Sequence, residues 1–316
     1  MGKIVGIGET VYDILFKNGH PVGGVPGGSV YNSIISIGRM GLPAAFISEV
    51  GNDKLGAVIV AHLQDSGVDT SSLCCFSDGK SPLSLAFLDE HGDADYIFYK
   101  DYPANRLAVE FPQVGQGDIV LCGSYFVLNP VLRSKVKPFL QRAHEQGAII
   151  YYDINFRKNH VAEREQLLPT IIENMELATV VRGSADDFRY LFGSTDGADI
   201  YVSRIAPHCK NFIFTSGGGP VTLFTPSFTA QYAVKEVEVR STVGAGDNFN
   251  AGVVYGLWRS SATYGSLASL PRSRWNSIIE CGLSFSAHAC TLYENYINKE
   301  WAAQFSAGEG VSLGLL

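Results

Sequence analysis

Short apolar runs alternate with amphipathic stretches along most of the chain, and this pattern predicts strands that alternate with helices. Val30, Ile34 and Ile37 recur at helical spacing, so one face of the segment 28–41 is expected to be buried. Such an order favours an α/β fold, a mainly parallel sheet with helices on both faces. The predicted strands are 3–8, 44–50, 118–122, 148–153, 178–181 and 211–215, and the predicted helices are 28–41, 53–66, 131–146, 246–258 and 273–292.

One hairpin pattern interrupts this alternation in the first half of the chain. Residues 83–88 and 96–100 are predicted to be short strands around a turn at 90–93, with no helix between them. We expect this hairpin to join the chain near 10–24 in a small β lid. The lid would then be formed by segments near 10–24 and 83–104.

The second half of the chain contains a further hairpin pattern, at 221–224 and 228–234. Val237 and Val239 alternate with polar residues and predict another strand before residue 244. No linker separates two independent units. We therefore expect a single domain over 1–316, with a tail at 307–316.

The composition indicates a folded protein and limits its classes of partner. Hydrophobic residues make up 46% of the 316 residues and charged residues 17%, enough apolar surface for a core. The 24 basic and 31 acidic residues give a net charge of −7, so we expect no nucleic-acid partner. No apolar run reaches the roughly 18–20 residues that cross a bilayer, and the first residues lack a signal-peptide pattern. We expect a cytoplasmic protein with no membrane partner.

The most informative motif is a glycine turn followed by helical character, at 244–247. Glycines at a helix start let backbone N–H groups converge, and the helix dipole adds positive potential there, which favours an anion. A carboxylate beside a bound phosphate is useful if it accepts the proton of an attacking hydroxyl group, so Asp247 is a candidate base. An ordinary helix start with an acidic first turn is the alternative. The N–H groups of the candidate anion hole belong to Gly244, Ala245 and Gly246.

Other phosphate-binding patterns are absent or incomplete in the sequence. There is no GxxxxGK(S/T) segment of the Walker type. Gly6 and Gly8 begin a GxGxxG pattern after the first predicted strand, but Val11 occupies the third glycine position. A dinucleotide-dependent oxidoreductase is therefore a weaker alternative.

Polar residues follow several of the predicted strands. Asp153, Asn155 and Arg157 alternate directly after an apolar strand, so we expect them on one side of an extended segment. Asp13 comes shortly after the first strand, and Asn32 lies in the first turn of a predicted helix. Open α/β sheets bind ligands at the carboxyl ends of their strands, so these side chains are candidates for binding a polyol or a phosphate. Each alone is equally typical of a turn, a cap or a solvated loop.

Together, these motifs resemble the ribokinase-like (PfkB) carbohydrate kinases over residues 3–292. The resemblance rests on the GAGD segment at 244–247, on the pair Gly27 and Gly28 followed by Asn32, and on the alternating polar residues at 153–157. It implies a mainly parallel sheet flanked by helices on both faces and a small β lid over a sugar site. It also implies transfer of the γ-phosphoryl group of ATP to a sugar hydroxyl, with Mg²⁺.

The resemblance further implies roles for individual residues. Asp247 is similar to the catalytic base, and the backbone of Gly244, Ala245 and Gly246 to the anion hole. The residues similar to sugar contacts are Asp13, Gly27, Gly28, Asn32 and Asn155, with Arg157 on sugar or phosphate. The residues similar to nucleotide contacts are Ser184, Asp187, Thr215, Gly217 and Gly219, with Asp187 also serving Mg²⁺ through water.

Within the family, the segments 84–87, 96–99, 153–157 and 182–188 are most like those of fructokinases. The resemblance therefore implies D-fructose as acceptor, with small-molecule sugar and ATP as the partners. A 2-keto-3-deoxygluconate kinase, a ribokinase and a nucleoside kinase of the same fold are the alternatives, and a non-catalytic nucleotide-binding relative is a further one. Lid strands of this family pair across dimers, which implies a homodimer.

The sequence departs from the family pattern at three positions. Ser241 stands where relatives have an aspartate that helps a monovalent-cation site, so we expect weak K⁺ dependence. Asp187 replaces a glutamate and is one methylene shorter, which favours contact with Mg²⁺ through water. Pro220 replaces a glycine of the nucleotide-binding loop and removes one backbone N–H donor.

Overall fold

The computed structural model describes residues 2–88 and 94–308. The predicted turn at 90–93 and positions 309–316 of the predicted tail lie outside these residues. The strands are β1 (Ile4–Ile7), β2 (Val11–Lys17), β3 (His20–Gly27), β4 (Ala44–Gly51), β5 (Val68–Asp69), β6 (Leu73–Phe76), β7 (Lys80–Leu88), β8 (Ala94–Asp101), β9 (Ile119–Gly123), β10 (Ile149–Asp153), β11 (Val180–Ser184), β12 (Phe212–Thr215), β13 (Val221–Phe224) and β14 (Thr229–Tyr232). The α-helices are α1 (Ser29–Arg39), α2 (Lys54–Asp65), α3 (Pro130–Glu145), α4 (Arg164–Leu177), α5 (Ala185–Phe192), α6 (Gly197–Ile200), α7 (Ala245–Arg259), α8 (Tyr264–Leu267), α9 (Arg272–Cys290) and α10 (Lys299–Ser306).

The larger sheet has the strand order β14-β13-β12-β11-β10-β9-β1-β4-β5, and β6 also pairs with β4. All neighbours from β12 to β5 are parallel, while β12, β13 and β14 form an antiparallel end. The predicted mainly parallel sheet and its second hairpin are therefore confirmed. None of the described helices is both long and apolar enough to cross a membrane.

Helices cover both faces of the central strands, as the sequence pattern predicts. In β10, Tyr151 belongs to the core layer built with α1, α7 and α9, and Tyr152 belongs to the layer built with α3, α4 and α5. Both tyrosines are fully buried. Because neighbouring residues enter opposite apolar layers, the central strands are continuous apolar runs in the sequence.

A second sheet of four strands has the order β3-β2-β7-β8. In its ladder, Asp13 lies opposite Ser84, and Ser84 lies opposite Phe98. The next row, which faces the other side of this sheet, contains Ile14, Leu85 and Ile97. The sheet thus has one face with polar groups and aromatic rings and another that is apolar. Its action as a lid stays a prediction.

The predicted strand through Val237 and Val239 is wrong. β14 ends at Tyr232, and the following residues up to 240 have no regular secondary structure. The two valines are 37% and 56% exposed, so no neighbouring strand or core layer fixes them in an extended ladder. Alternation of valines with charged residues alone does not create a strand without a partner edge.

Candidate active site

The glycine turn begins α7 in a geometry that requires glycine at residue 244. Gly244 is the N-cap and has φ +77°, in the left-handed region. A Cβ atom there would lie 2.6 Å from the carbonyl oxygen of Asn295. The Ala245 N–H donates to the carbonyl oxygen of Thr242 at 3.2 Å and is used within the turn. The N–H groups of Gly246 and Asp247 have no backbone partner among the described residues and are available to an anion. The predicted part of Ala245 in the anion hole is therefore wrong in this structure, while those of Gly244 and Gly246 stay predictions.

The carboxylate of Asp247 is held by the first turn of another helix, α1. Its Oδ1 accepts a hydrogen bond from the Ser29 hydroxyl at 2.8 Å, and its Oδ2 accepts one from the Asn32 amide at 2.8 Å. The Ser33 hydroxyl donates to the Asp247 carbonyl oxygen at 2.7 Å. No side chain caps α7, so the carboxylate does not serve as the cap of its own helix. This geometry favours a role for Asp247 beyond that of an acidic first turn.

Burial makes Asp247 a better proton acceptor than an exposed aspartate. It raises the pKa of the carboxyl, while the hydrogen bond from Asn32 and the positive charge of Arg157 oppose that shift. A raised pKa brings a carboxylate closer to the range in which general bases work at neutral pH. The Oδ1 atom of Asn32 is buried and has no hydrogen-bond partner among the described residues. A hydroxyl group of a ligand would satisfy it.

A second carboxylate, Asp13, lies on the polar face of the four-stranded sheet. It accepts a hydrogen bond from the Ser84 hydroxyl. Burial raises its pKa to about 6, although the bond from Ser84 acts in the opposite direction. A Cβ atom on Gly27 would lie 2.8 Å from Asp13 Oδ2, and one on Gly28, at φ +127°, would lie 2.2 Å from the carbonyl oxygen of Glu9. Gly27 thus permits a close approach of β3 to Asp13 in β2, and Gly28 permits a close approach of the start of α1 to Glu9, which follows β1.

The expectation that Asp153, Asn155 and Arg157 share one side of an extended segment is wrong. Asn155 has φ +40°, so the chain turns there and the alternation ends. Asp153 is buried and accepts hydrogen bonds from Arg182 at 3.0 Å and from Asn250 at 2.7 Å. Asn155 is also buried, whereas Arg157 is exposed, and its charge acts on the pKa of Asp247. The predicted roles of Asn155 and Arg157 remain proposals. Asp153 has a structural role, because its hydrogen bonds join β10 to β11 and α7.

Ser184 and Asp187 form a capping box at the start of α5. Asp187 Oδ2 accepts bonds from the Ser184 N–H at 2.6 Å and hydroxyl at 2.7 Å, and the hydroxyl accepts from the Asp187 N–H at 3.2 Å. Burial and the charge of Asp153 raise the pKa of Asp187, while Arg182 opposes the shift. Across residues 2–88 and 94–308, no cluster of three or more His, Cys, Asp or Glu side chains forms a metal site. One carboxylate together with substrate phosphates is a common Mg²⁺ set, so Asp187 fits this metal.

The predicted nucleotide-binding loop follows β12 directly. The Thr215 hydroxyl accepts a hydrogen bond from Arg182 at 2.7 Å. Gly217 has φ +51°, and the Gly219 N–H donates to the carbonyl oxygen of Ser216 at 2.7 Å. The Gly219 N–H is therefore used within the turn, and Pro220 has none to offer. Gly219 would therefore contact a nucleotide only by letting it approach the backbone closely. The open space around Gly217 leaves room for a ligand.

Ser241, where relatives carry an aspartate, uses its hydroxyl within the local turn. Its Oγ accepts a hydrogen bond from the Val243 N–H at 3.2 Å. A neutral hydroxyl already engaged in this way offers a cation less than a carboxylate does. Weak K⁺ dependence stays a prediction, which this contact supports.

Several residues of the site were not found by sequence reasoning. Tyr96 and Phe98 project from β8 on the same side as Asp13, with their rings stacked at 5.8 Å between centroids. Burial raises the pKa of Tyr96, and the charges of Asp13 and Asp247 add to this shift, although the side chain is still 39% exposed. The i, i+2 spacing of the two aromatics was a usable signal. Ser29, Ser84 and Arg182 had no such signal, because their partners are far away in the sequence.

Comparisons of the sequence with known proteins point to one family. The family model for pfkB family carbohydrate kinases matches residues 1–270. A probable chloroplastic fructokinase-6 of Arabidopsis thaliana is 27% identical over 235 residues, 72% of this chain and 61% of that protein. Fructokinase-1 of Oryza sativa subsp. japonica is 26% identical over 229 residues, 71% of each chain.

Two solved structures share the fold over nearly the whole chain. A Vibrio cholerae O395 fructokinase bound to fructose, ADP and calcium has a TM-score of 0.85 at 22% identity, covering 96% of this chain and 99% of that one. An aminoimidazole riboside kinase of Salmonella enterica, complexed with aminoimidazole riboside and an ATP analogue, has a TM-score of 0.82 at 21% identity, covering 96% and 100%. The fold is therefore ribokinase-like.

Proposed function

The chain belongs to the pfkB family of carbohydrate kinases, and we propose that it transfers the γ-phosphoryl group of ATP to a sugar hydroxyl, with D-fructose as the preferred acceptor. The observation that carries this proposal is the placement of the Asp247 carboxylate. Ser29 and Asn32 hold it in the first turn of α7, where the N–H groups of Gly246 and Asp247 have no backbone partner among the described residues. A base and an anion hole thus lie next to each other, as phosphoryl transfer to a hydroxyl group requires.

In the proposed reaction, Asp247 takes the proton of the acceptor hydroxyl as its oxygen attacks the γ-phosphorus. The bond from phosphorus to the bridging oxygen breaks, and ADP leaves with the electron pair. The N–H groups of Gly246 and Asp247 stabilise the charge on the migrating phosphoryl group. Asp187 would hold Mg²⁺ through water, and the ion, when bound, neutralises phosphate charge. A raised pKa at Asp247 favours acceptance of the proton.

The acceptor site that we propose lies between the two sheets. Asp13 and the unpaired Oδ1 of Asn32 offer acceptors for sugar hydroxyl groups. Tyr96 and Phe98 offer apolar ring faces on the side of the four-stranded sheet. Sugars present hydroxyl groups at their rim and C–H groups on their faces, so this combination suits a sugar. The similarity to two plant fructokinases and to the Vibrio cholerae enzyme supports fructose in particular.

A coupled assay of ADP release tests the proposed function. ATP with Mg²⁺ is offered together with fructose, ribose, adenosine or 2-keto-3-deoxygluconate. We expect fructose to stimulate turnover most. An equal or larger response to another acceptor would refute the fructose assignment and leave the kinase assignment intact. No stimulation by any member of a wide sugar panel would favour a non-catalytic relative.

We also propose that two copies of the chain associate through their four-stranded sheets. The side of this sheet that faces away from Asp13 is apolar, with Phe87, Ile97 and Tyr99 exposed by 37%, 48% and 55%. β8 lies at one edge of the sheet and offers unpaired backbone groups. An exposed apolar sheet face with an open edge is typical of an association surface.

A further inference from the structure

Arg182 is a buried cation at the candidate site that the proposed reaction does not use. Its Nη1 donates to Asp153 Oδ1 at 3.0 Å, and its Nη2 donates to Thr215 Oγ1 at 2.7 Å. Asp153 ends β10, Arg182 lies in β11 and Thr215 ends β12, and these three strands are neighbours. The guanidinium group of Arg182 therefore links β11 to the ends of β10 and β12, where the nucleotide loop begins.

The same guanidinium group lies directly behind the first turn of α7. A Cβ atom on Gly246 would be 3.1 Å from Arg182 Nη2 and 3.5 Å from Nη1. Any side chain at residue 246 would thus meet the guanidinium. Asp153 also accepts a bond from Asn250 of α7 at 2.7 Å, so Arg182 acts on this helix through a second route. Both routes converge on the turn that carries Asp247.

The charges around Arg182 indicate what this residue does. The carboxylates of Asp153, Asp187 and Asp247 are all buried near the place where phosphates are proposed to bind. Arg157 is exposed, and among the residues that the structure describes Arg182 is the buried cation beside these carboxylates. Burial alone lowers the pKa of Arg182, but the charges of Asp153 and Asp187 outweigh this effect, and the guanidinium stays charged. Its charge offsets repulsion between carboxylates and phosphates.

Stability alone is a poor explanation for this arrangement. Arg182 Nε is buried and has no hydrogen-bond partner among the described residues, which costs free energy. A buried ion pair is seldom more stabilising than well-packed apolar residues of similar volume. A role in the reaction accounts for a cation at this position.

We propose that Arg182 is a positioning residue for phosphoryl transfer, which fixes the first turn of α7 and supplies positive charge behind the anion hole. The proposal rests on the proposed kinase function. It assigns Arg182 an effect on the transfer step and leaves acceptor binding to Asp13 and Asn32. It also explains why residue 246 is a glycine although its φ is not in the left-handed region.

The test compares Arg182→Gln with the double variant Asp153→Asn/Arg182→Gln. The single variant leaves the Asp153 charge buried and unpaired, so a loss of thermal stability is expected. The double variant removes both charges and is expected to regain stability. If Arg182 positions the anion hole, kcat stays low in the double variant by about 10²-fold, while KM for the sugar stays close to the wild-type value. A kcat that recovers together with stability would overturn the proposal.

Two further variants separate charge from general damage. Arg182→Lys keeps the charge and should retain more of kcat than Arg182→Gln, whereas equal loss in both would contradict a role for the charge. Arg133→Gln/Glu173→Gln removes another ion pair, between α3 and α4, and should leave kcat unchanged. Wild-type protein that turns over no sugar would refute the proposed function itself. Wild-type turnover with unaffected Arg182 variants would refute only this inference.

Discussion

At the scale of single residues, the candidate site contains carboxyl groups whose pKa is raised by burial. For Asp13 the value reaches about 6, so the folded protein binds its proton more tightly than the unfolded chain does. Such a group destabilises the folded state increasingly as pH rises from about 4 to about 6, because ionisation is easier in the unfolded chain. The buried carboxylate of Asp13 therefore lowers the stability of the protein at neutral pH, and a role in ligand binding accounts for its presence.

Asp13→Asn should therefore stabilise the protein at pH 7 but not at pH 4. The amide resembles the protonated carboxyl, so the two proteins should be about equal at the lower pH. At pH 7 the variant should gain about 1–3 kcal/mol in free energy of unfolding. Urea unfolding at pH 4, 5.5 and 7 measures this difference. A gain that does not change with pH would show that the Asp13 carboxyl is not buried as the structure has it.

Arg157 is exposed, yet its positive charge opposes the rise in the pKa of Asp247. Arg157→Ala should raise KM for sugar or ATP by about 10- to 10²-fold, since a hydrogen bond to a charged group is worth about 1.5–3 kcal/mol. It should also raise the pKa of Asp247, so the acid limb of the kcat profile moves to higher pH. Steady-state kinetics from pH 5 to 9 test both effects, with Arg142→Ala on the outer surface of α3 as control. Kinetics equal to those of the control would assign Arg157 to a solvated loop.

At the scale of elements, the start of α7 depends on the left-handed conformation of Gly244. Gly244→Ala should lower both stability and kcat, because the new Cβ meets the Asn295 carbonyl oxygen at 2.6 Å. Gly147→Ala is the matched control, since Gly147 has φ +74° and open space around its Cβ position. Both variants should lose about 1–2 kcal/mol from backbone strain. Only the change at 244 should also reduce kcat, and similar kcat values would contradict the proposed role of this turn.

The elements themselves were largely predictable, because the central strands are buried on both faces and the helices have apolar stripes. The same local signals predicted the glycine turn at 244–247 and the polar group at Asn32. They could not predict that Asn155 turns the chain, since its φ of +40° depends on surrounding structure. They also missed the position of Arg182, whose guanidinium lies where a Cβ atom of residue 246 would meet it, 64 positions further along the chain. Val237 and Val239 show the reverse case, a local pattern without a tertiary partner.

At the scale of the whole molecule, the apolar side of the four-stranded sheet predicts a dimer. Ile97→Lys places a charge on that side, away from the cleft, and should convert a dimer into a monomer. Val202→Lys, at a valine that is 71% exposed elsewhere, is the control and should leave the mass unchanged. Sedimentation equilibrium of the three proteins measures the assembly. A wild-type protein that sediments as a monomer would refute the association, and a cytoplasmic location stays a separate prediction.

The central claim is that Asp247 is the base of a sugar kinase, and its most direct test is the kcat of Asp247→Asn. Asparagine keeps the size of the side chain but cannot accept the proton of the acceptor hydroxyl. Because a positioned general base contributes about 10²–10⁴-fold, kcat should fall by that factor while MgATP binding stays close to wild type. The melting temperature at pH 7 should not fall, since the change removes a buried carboxylate whose pKa burial raises. A correctly folded variant that keeps most of its kcat would contradict the account.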